Sequence, residues 1–475
     1  KYFIVLGIIN QKTIKGFPIL IEKFSQLTLS KEFLLNLDSL SYTHLTAIQQ
    51  KSLPLSLDNK DLIAQAKTGS GKTVAFCIPI LNKIDIKNFK IQSLILAPTR
   101  ELANQIALEL RKLSRHIHNL KVLTLCGGMP FKPQALSLFH GAHIVVATPG
   151  RVLKHIKEEN INLENISTLV LDEADKMLDM GFYDDIIEII NTLPKNRQTL
   201  LFSATYEKNI EKLASNILKN PLSVKVENEE KVHIKQKFYN VEESNKTALI
   251  PALISSNKAK SILIFCNMKI TCDKLADDLY DLGLDVLTLH SDLEQKQRDE
   301  TIILFSNKSY PILIATDVAS RGLHIDDVDL VINYDLSLDE KIHTHRIGRT
   351  ARAGKGGMAI SLYTSNDYDR VELIKDTFSD IEDENIDKIE DDLSYKIDSS
   401  LRTIFINGGK KQKLRAGDIL GALTAGIGLS KEDIGKIDIL DFASYVAINK
   451  EKITYVLEKL SKSKIKGKYY RIYEK

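Results

Sequence analysis

Short, unbroken apolar runs punctuate the chain: Ser93–Ala97, Ile144–Ala147, Leu169–Leu171, Leu200–Phe202, Ile262–Phe265, Ile312–Ala315 and Leu330–Ile332. A strand with one wet face alternates apolar and polar positions, whereas an unbroken run suits a strand covered on both faces. Amphipathic stretches separate the runs, so the pattern predicts parallel strands interleaved with helices, an α/β architecture. Many runs end in a polar or glycine-containing cluster, such as Pro-Thr-Arg, Thr-Pro-Gly-Arg, Asp-Glu-Ala-Asp, Ser-Ala-Thr or Thr-Asp. Loops at the carboxyl ends of parallel strands are where such sheets hold ligands. The strands are too many for one compact sheet. They divide into one unit over residues 22–220 and a second over 238–365, joined by a Glu/Lys-rich linker at 221–237. Residues 1–21 read as an N-terminal extension. Their apolar run, Tyr2–Ile9, falls far short of the ~20 residues that span a bilayer. No small-residue cleavage site follows it.

Composition changes the picture after Tyr363. The whole chain, 475 residues with a net charge of +3, looks electrostatically neutral and ordinarily globular, with 43% apolar residues. That average hides two opposed segments. Residues 366–400 hold 13 Asp/Glu against four Lys/Arg, and residues 401–475 hold 16 Lys/Arg against eight Asp/Glu. The first reads as a solvated acidic connector, the second as a small basic domain with a polyanionic partner. Four cysteines without a CxxC pair argue against a disulfide scaffold and against structural zinc, and fit a reducing, cytoplasmic setting.

The sharpest chemistry is Ala66-Lys-Thr-Gly-Ser-Gly-Lys-Thr73, between a strand and a helix. Thr68, Gly69, Ser70 and Gly71 let successive backbone N–H groups face phosphate oxygens, and the helix N-terminus adds positive partial charge. Lys72 would reach the β/γ-phosphates of a nucleotide such as ATP, and the Thr73 hydroxyl would help hold Mg²⁺. Asp172, at a strand end, is the second candidate metal ligand, and Glu173 beside it could orient or deprotonate an attacking water. Only 14 of 65 basic residues are arginine, yet seven of these lie in or beside the strand-end clusters: Arg100, Arg151, Arg298, Arg321, Arg346, Arg349 and Arg352. Arginine resists replacement where a planar grip on phosphate is needed. Arg349 and Arg352 would act from the second unit as arginine fingers in cis. The His343/His345 pair sits inside this arginine motif and is not read as a metal site.

Together these residues resemble the DEAD-box RNA helicases, from about Phe24 to Tyr363. The resemblance implies two RecA-like doubly wound parallel-sheet lobes and an RNA-dependent ATPase. It implies an adenine site at Phe24, Tyr42 and Gln49, with Tyr42 stacking on the base. It implies RNA-backbone contacts from Pro98, Thr99, Arg100, Gly128, Thr148, Gly150 and Arg151 in the first lobe, and from Arg298, Thr316 and Arg321 in the second. Ser203, Thr205 and Asp175 would couple hydrolysis to strand separation. His324 stands where the family usually has an Asp that helps hold the ribose, so weaker nucleotide binding is expected.

Residues 401–475 read as β-α-β-β-α-β, the order of an RRM-like α+β domain, with Phe405 and Tyr445 placed to stack bases or else to serve as core. The run Asn407–Leu423, with Asp433–Ile437 and Lys464–Lys468, resembles the C-terminal domain of the bacterial DbpA helicases. That resemblance implies a hairpin of 23S ribosomal RNA as ligand, pre-50S ribosomal particles as the setting and a monomer with no membrane partner. Lys410, Lys411, Lys413, Arg415, Lys464, Lys466 and Lys468 are the candidate phosphate contacts. The reading is an ATP-dependent helicase that opens short RNA duplexes during large-subunit assembly. The alternative is an ATP-gated RNA clamp or chaperone with little strand separation.

Overall fold

The computed structural model describes residues 21–475 apart from 67–68, 207, 227–233, 318–324, 326–327, 351–355, 379–380 and 393. Thr68, Arg321, His324 and Arg352, and nearly all of the N-terminal extension, lie outside the described residues. The chain divides into two compact units, residues 1–229 and 230–475.

The first unit is built on seven strands: β1 (Leu62–Gln65), β2 (Ser93–Leu96), β3 (Val122–Leu125), β4 (Ile144–Ala147), β5 (Thr168–Leu171), β6 (Gln198–Ser203) and β7 (Leu222–Lys225). All pair in parallel, in the order β3-β4-β2-β5-β6-β1-β7. The unbroken apolar runs have a direct cause here. Leu62 and Ala64 enter the core on one side of the sheet and Ile63 the core on the other. With a two-residue period, both sets must be apolar when helices cover both faces. The order also sorts the strand ends. The loops after β1, β5 and β6 are neighbours, and so are those after β2, β3 and β4.

The second unit holds β8 (Ile234–Asn240), β9 (Ile262–Cys266), β10 (Val286–Leu289), β11 (Ile312–Thr316), β12 (Leu330–Asn333), β13 (Gly357–Tyr363) and β14 (Ile381–Glu384). They form a second parallel sheet, ordered β10-β11-β9-β12-β13-β8-β14. Two segments differ from the sequence reading. The ends of the expected linker are strands: β7 pairs with β1, and β8 pairs with β13 and β14. The acidic connector is also partly sheet. β14 is stabilised as an edge strand because Glu382 and Glu384 meet Lys235 and Lys237 of β8 at 3.2 and 3.0 Å. Further along, Ile386, Ile389, Tyr395 and Ile397 pack on the lobe core. Charge counting missed this because the apolar residues are spaced singly among the carboxylates.

The tail carries β15 (Leu401–Ile406), β16 (Ile434–Ile439), β17 (Ser444–Asn449) and β18 (Ile472–Glu474), antiparallel and ordered β16-β17-β15-β18. Helices Ala416–Gly421 and Ile453–Leu460 cover one face, burying Ile419, Val456 and Leu460 against Ile404, Val446 and Ile448. The other face is closed too. Phe405 and Tyr445 pack with Ile303 of the helix Gln295–Ser306. The Tyr445 hydroxyl donates to Glu300 at 3.0 Å, and Asn307 donates to Thr403 at 2.7 Å. Tyr445 is only 1% exposed. The base-stacking alternative for Phe405 and Tyr445 is therefore corrected: the second lobe occupies that face.

Candidate active site and RNA interface

The phosphate loop leaves β1 and enters the helix Lys72–Lys83 through Gly71, whose φ of 93° belongs to the left-handed region. A Cβ on Gly71 would come within 2.5 Å of the Gln49 amide nitrogen. That close approach lets Gln49 brace the loop, donating to the Gly71 carbonyl at 3.0 Å while its oxygen accepts from Thr46 N–H. Lys72 is buried and donates to the Ala66 carbonyl at 2.8 Å. Ala66 N–H in turn donates to the Ser203 carbonyl, tying the loop to the end of β6. Gly69 and Ser70 lie between Ala66 and Gly71, and Thr73 follows Lys72 in the first turn of the helix.

Asp172 follows β5, fully buried, with one carboxylate oxygen accepting from Glu173 N–H at 3.0 Å. Burial pushes its carboxyl up to about 6, against the opposing pull of nearby Lys72. Glu173 sits at φ 52°, an uncommon conformation for a side-chain-bearing residue. One Glu173 oxygen pairs with buried Lys176 at 2.9 Å, while the other is buried and, among the described residues, has no hydrogen-bond partner, as is the case for the Ser203 hydroxyl. Such orphaned groups are costly unless a ligand satisfies them. Lys176 escaped the sequence reading, although its i,i+3 spacing from Glu173 was the available signal. Asp175 reaches the next strand end. Its carboxylate accepts from Ala204 N–H and Thr205 N–H at 3.1 Å and faces the Thr205 hydroxyl at 3.4 Å.

A hydroxyl and a carboxylate, Thr73 and Asp172, suit a hard cation. Among the described residues no cluster of three His, Cys, Asp or Glu could enclose a metal unaided. Two such donors fit Mg²⁺, which keeps waters and takes phosphate oxygens.

The adenine candidates Phe24 and Tyr42 pack together. Phe24 is core, 2% exposed, and backs Tyr42 in an edge-on contact at 6.1 Å. Tyr42 remains partly open, its hydroxyl held by Glu109 at 2.8 Å.

The RNA candidates of the first lobe gather after β2, β3 and β4. Pro98 leads into Thr99, which caps the helix Arg100–Leu113 by accepting from Leu102 N–H, so Arg100 opens that helix. Thr148 precedes the helix Pro149–Lys157, which contains Gly150 and Arg151, and accepts from Gly127 N–H at 3.4 Å. Gly128 turns at φ 71°. The Arg151 guanidinium lies 5.6 Å over the Phe131 ring. Both Arg100 and Arg151 pull against the burial that raises the Cys126 thiol to about 12, which places the two cations around one strand end.

In the second lobe Thr316 ends β11, and Arg298 sits in the first turn of the helix Gln295–Ser306. Arg349 is buried just beyond the helix Glu340–Ile347. Arg346 differs from the phosphate role suggested by its motif. It is 1% exposed and joins three adjacent strand ends: Asp317 after β11 at 2.7 and 2.8 Å, Asn267 after β9 at 2.6 Å, and the Asp335 carbonyl after β12 at 2.7 Å. The His343 Nε2–H donates to the Gln236 side-chain oxygen of β8 at 2.8 Å, and the ring lies against Phe238 and Phe378.

In the tail, Lys410, Lys411, Lys413, Arg415, Lys464, Lys466 and Lys468 are all exposed. Lys466 is the exception in role: it donates to the Lys413 carbonyl at 2.7 Å and pairs with Asp418 at 2.9 Å, fastening two loops together.

Three family models match the chain: the DEAD/DEAH box helicase over residues 46–213, the helicase conserved C-terminal domain over 245–354 and the DbpA RNA binding domain over 403–474. The chain is 44% identical to the ATP-dependent RNA helicase DbpA of Escherichia coli, covering 92% of this chain and 96% of that one. It is 37% identical to the Bacillus subtilis protein of the same name, covering 94% and 98%. Among solved structures it resembles Saccharomyces cerevisiae Dbp5 bound to RNA and ADP BeF3, with 30% identity, a TM-score of 0.70 and coverage of 77% and 96%. No helix among the described residues is long and apolar enough to cross a membrane. A nucleotide-type phosphate loop, a paired acidic strand end, a second parallel-sheet lobe and a DbpA-type tail occur here in one chain, which belongs to the DbpA family of DEAD-box ATP-dependent RNA helicases, RNA-stimulated ATPases.

Proposed function

We propose that this helicase acts on the large ribosomal subunit: its tail holds a hairpin of 23S ribosomal RNA in pre-50S particles, and its lobes open short duplexes nearby. The observation that carries this reading is the DbpA RNA binding domain match over 403–474, whose loops present exposed lysines. A core that grips phosphates and 2′-hydroxyls is nearly blind to sequence. Tethering supplies the address by raising the local concentration of that core at one site. The setting is cytoplasmic and the working unit a monomer.

At the ATP site, Lys72 and the loop N–H groups bind phosphate, and Thr73 and Asp172 would hold Mg²⁺. When bound, the ion neutralises charge on the phosphate oxygens. Glu173 orients the attacking water and takes its proton, and Arg349 and Arg352 stabilise charge from the second lobe. Asp175 relays the state of the acidic strand end to Ser203 and Thr205. Pro98, Thr99, Arg100, Gly128, Thr148, Gly150, Arg151, Arg298, Thr316 and Arg321 contact the RNA backbone. ATP and RNA bind in a coupled way, so each ligand tightens the other, and hydrolysis releases that coupling.

ATPase stimulation tests the address. A 23S fragment containing the hairpin should stimulate turnover at concentrations at least tenfold below those of a length-matched unrelated RNA. Equal stimulation would remove the ribosomal assignment and leave the helicase assignment intact.

A further inference from the structure

The Phe405 and Tyr445 rings of the RRM-like sheet are unavailable for stacking in this tail, since helix Gln295–Ser306 covers them. Base faces must then be met by other rings. Three segments of the tail converge at one end of the sheet. The basic loop after β15 is drawn against the turn between β16 and β17: Lys410 N–H donates to the Leu440 carbonyl at 2.9 Å and Lys411 N–H to the Asp441 carbonyl at 2.8 Å. Gly409 makes the approach feasible, because a Cβ there would come within 2.2 Å of the Leu440 oxygen. The third segment, 464–470, is fastened to the same loop by Lys466.

Each of the two flanking segments carries an aromatic ring in solvent. Phe442, in the β16–β17 turn, is 64% exposed, and Tyr469 is 63% exposed. The neighbouring Tyr470 is different: its ring lies where a Gly408 Cβ would come within 2.3 Å, so it packs on the loop. Position 469 is thus not needed for the core. The Lys464 ammonium sits 5.5 Å from the Tyr469 ring centre, placing a cation beside a stacking surface. Exposed rings among lysines are the chemistry of single-stranded RNA recognition, where bases stack and phosphates pair. A paired A-form stem keeps its base faces inside and offers rings nothing to stack on.

We propose that Phe442 and Tyr469 form a stacking site for unpaired RNA bases, flanking the Lys410/Lys411 loop that holds the phosphates. The site rests on the tail being an RNA-binding domain, and it is independent of which RNA supplies the bases.

The test uses the full chain and two labelled probes, an RNA stem closed by an unpaired loop and the same stem as a blunt duplex. Phe442→Ala combined with Tyr469→Ala should weaken hairpin binding about 5- to 150-fold, the range of one base stack. Duplex binding should stay within about twofold. Phe442→Tyr combined with Tyr469→Phe keeps both rings and should bind like the parent, which separates stacking from any loss of folding in the alanine pair. Equal weakening on both probes, or no weakening on the hairpin, overturns the proposal, as does failure of the aromatic swap to retain binding. A 23S-derived loop against a scrambled loop separates this proposal from the ribosomal address. Indifference to loop sequence removes the address alone, and a ring effect that vanishes while sequence preference persists removes the stacking site alone.

Discussion

Glu173 shows how a single residue is prepared by its surroundings. Its backbone is held at positive φ, one oxygen is paired with Lys176 and the other is buried with no partner among the described residues. A carboxylate so placed is preorganised to receive a hydrogen-bond donor such as water. Replacing it with Gln keeps the shape and removes the base. Glu173→Gln is expected to bind ATP and RNA with affinities within a few-fold of the parent while turnover falls at least 100-fold, measured by steady-state ATPase and RNA binding with nucleotide. Unchanged turnover would take Glu173 out of its role. Residue identity and motif spacing were enough to nominate Lys72, Asp172 and Glu173. They were not enough for Arg346 or Phe24, whose burial comes from partners distant in sequence.

At the scale of elements, parallel strand order brings the chemistry together. The loops after β1, β5 and β6 meet because those strands are neighbours, although over 100 residues separate the first from the last. In the second lobe Arg346 performs a similar task, fixing the ends of β9, β11 and β12 from the helix Glu340–Ile347. The same helix is sensitive to acid. Burial, with a further push from the Arg346 charge, lowers His343 to about 4 from its ordinary 6.5. The folded state thus binds this proton less readily than the unfolded state. Its neutral form costs no stability above pH 6.5, and stability is lost as pH falls from there toward 4, by up to about 3 kcal/mol. Denaturant midpoints taken from pH 7 to pH 4 should fall less steeply for His343→Gln than for the parent. Parallel slopes would show that another group carries the acid response.

The whole-molecule question is how the tail is carried. Tail and second lobe share a buried contact at Phe405, Tyr445 and Ile303, reinforced by Arg402 on Asp285 at 2.9 Å and Lys475 on Glu300 at 2.6 Å. The helix that makes this contact also begins with the Arg298 turn. Ile303→Asp would bury an unpaired charge beside Tyr445, a change costing several kcal/mol if the contact stays closed. Calorimetry should then resolve the tail from the second lobe as separate transitions, where the parent should show them melting together. A single undivided transition in the variant would show that the contact does not couple them.

The sequence by itself determined the local chemistry and the kind of fold. Period and run length required parallel strands covered on both faces, and Gly71, Lys72 and Asp172 could be named because their function depends on spacing within a few residues. It also revealed the basic tail once charge was counted by segment. Tertiary structure alone decided what long-range packing decides: that the acidic segment contributes β14 through ion pairs with β8, that Arg346 is structural, and that the sheet face holding Phe405 and Tyr445 is closed. The physical reason is common to all three. Whether a charged or aromatic side chain meets water, a ligand or another element depends on neighbours far along the chain, and a local pattern carries no record of them.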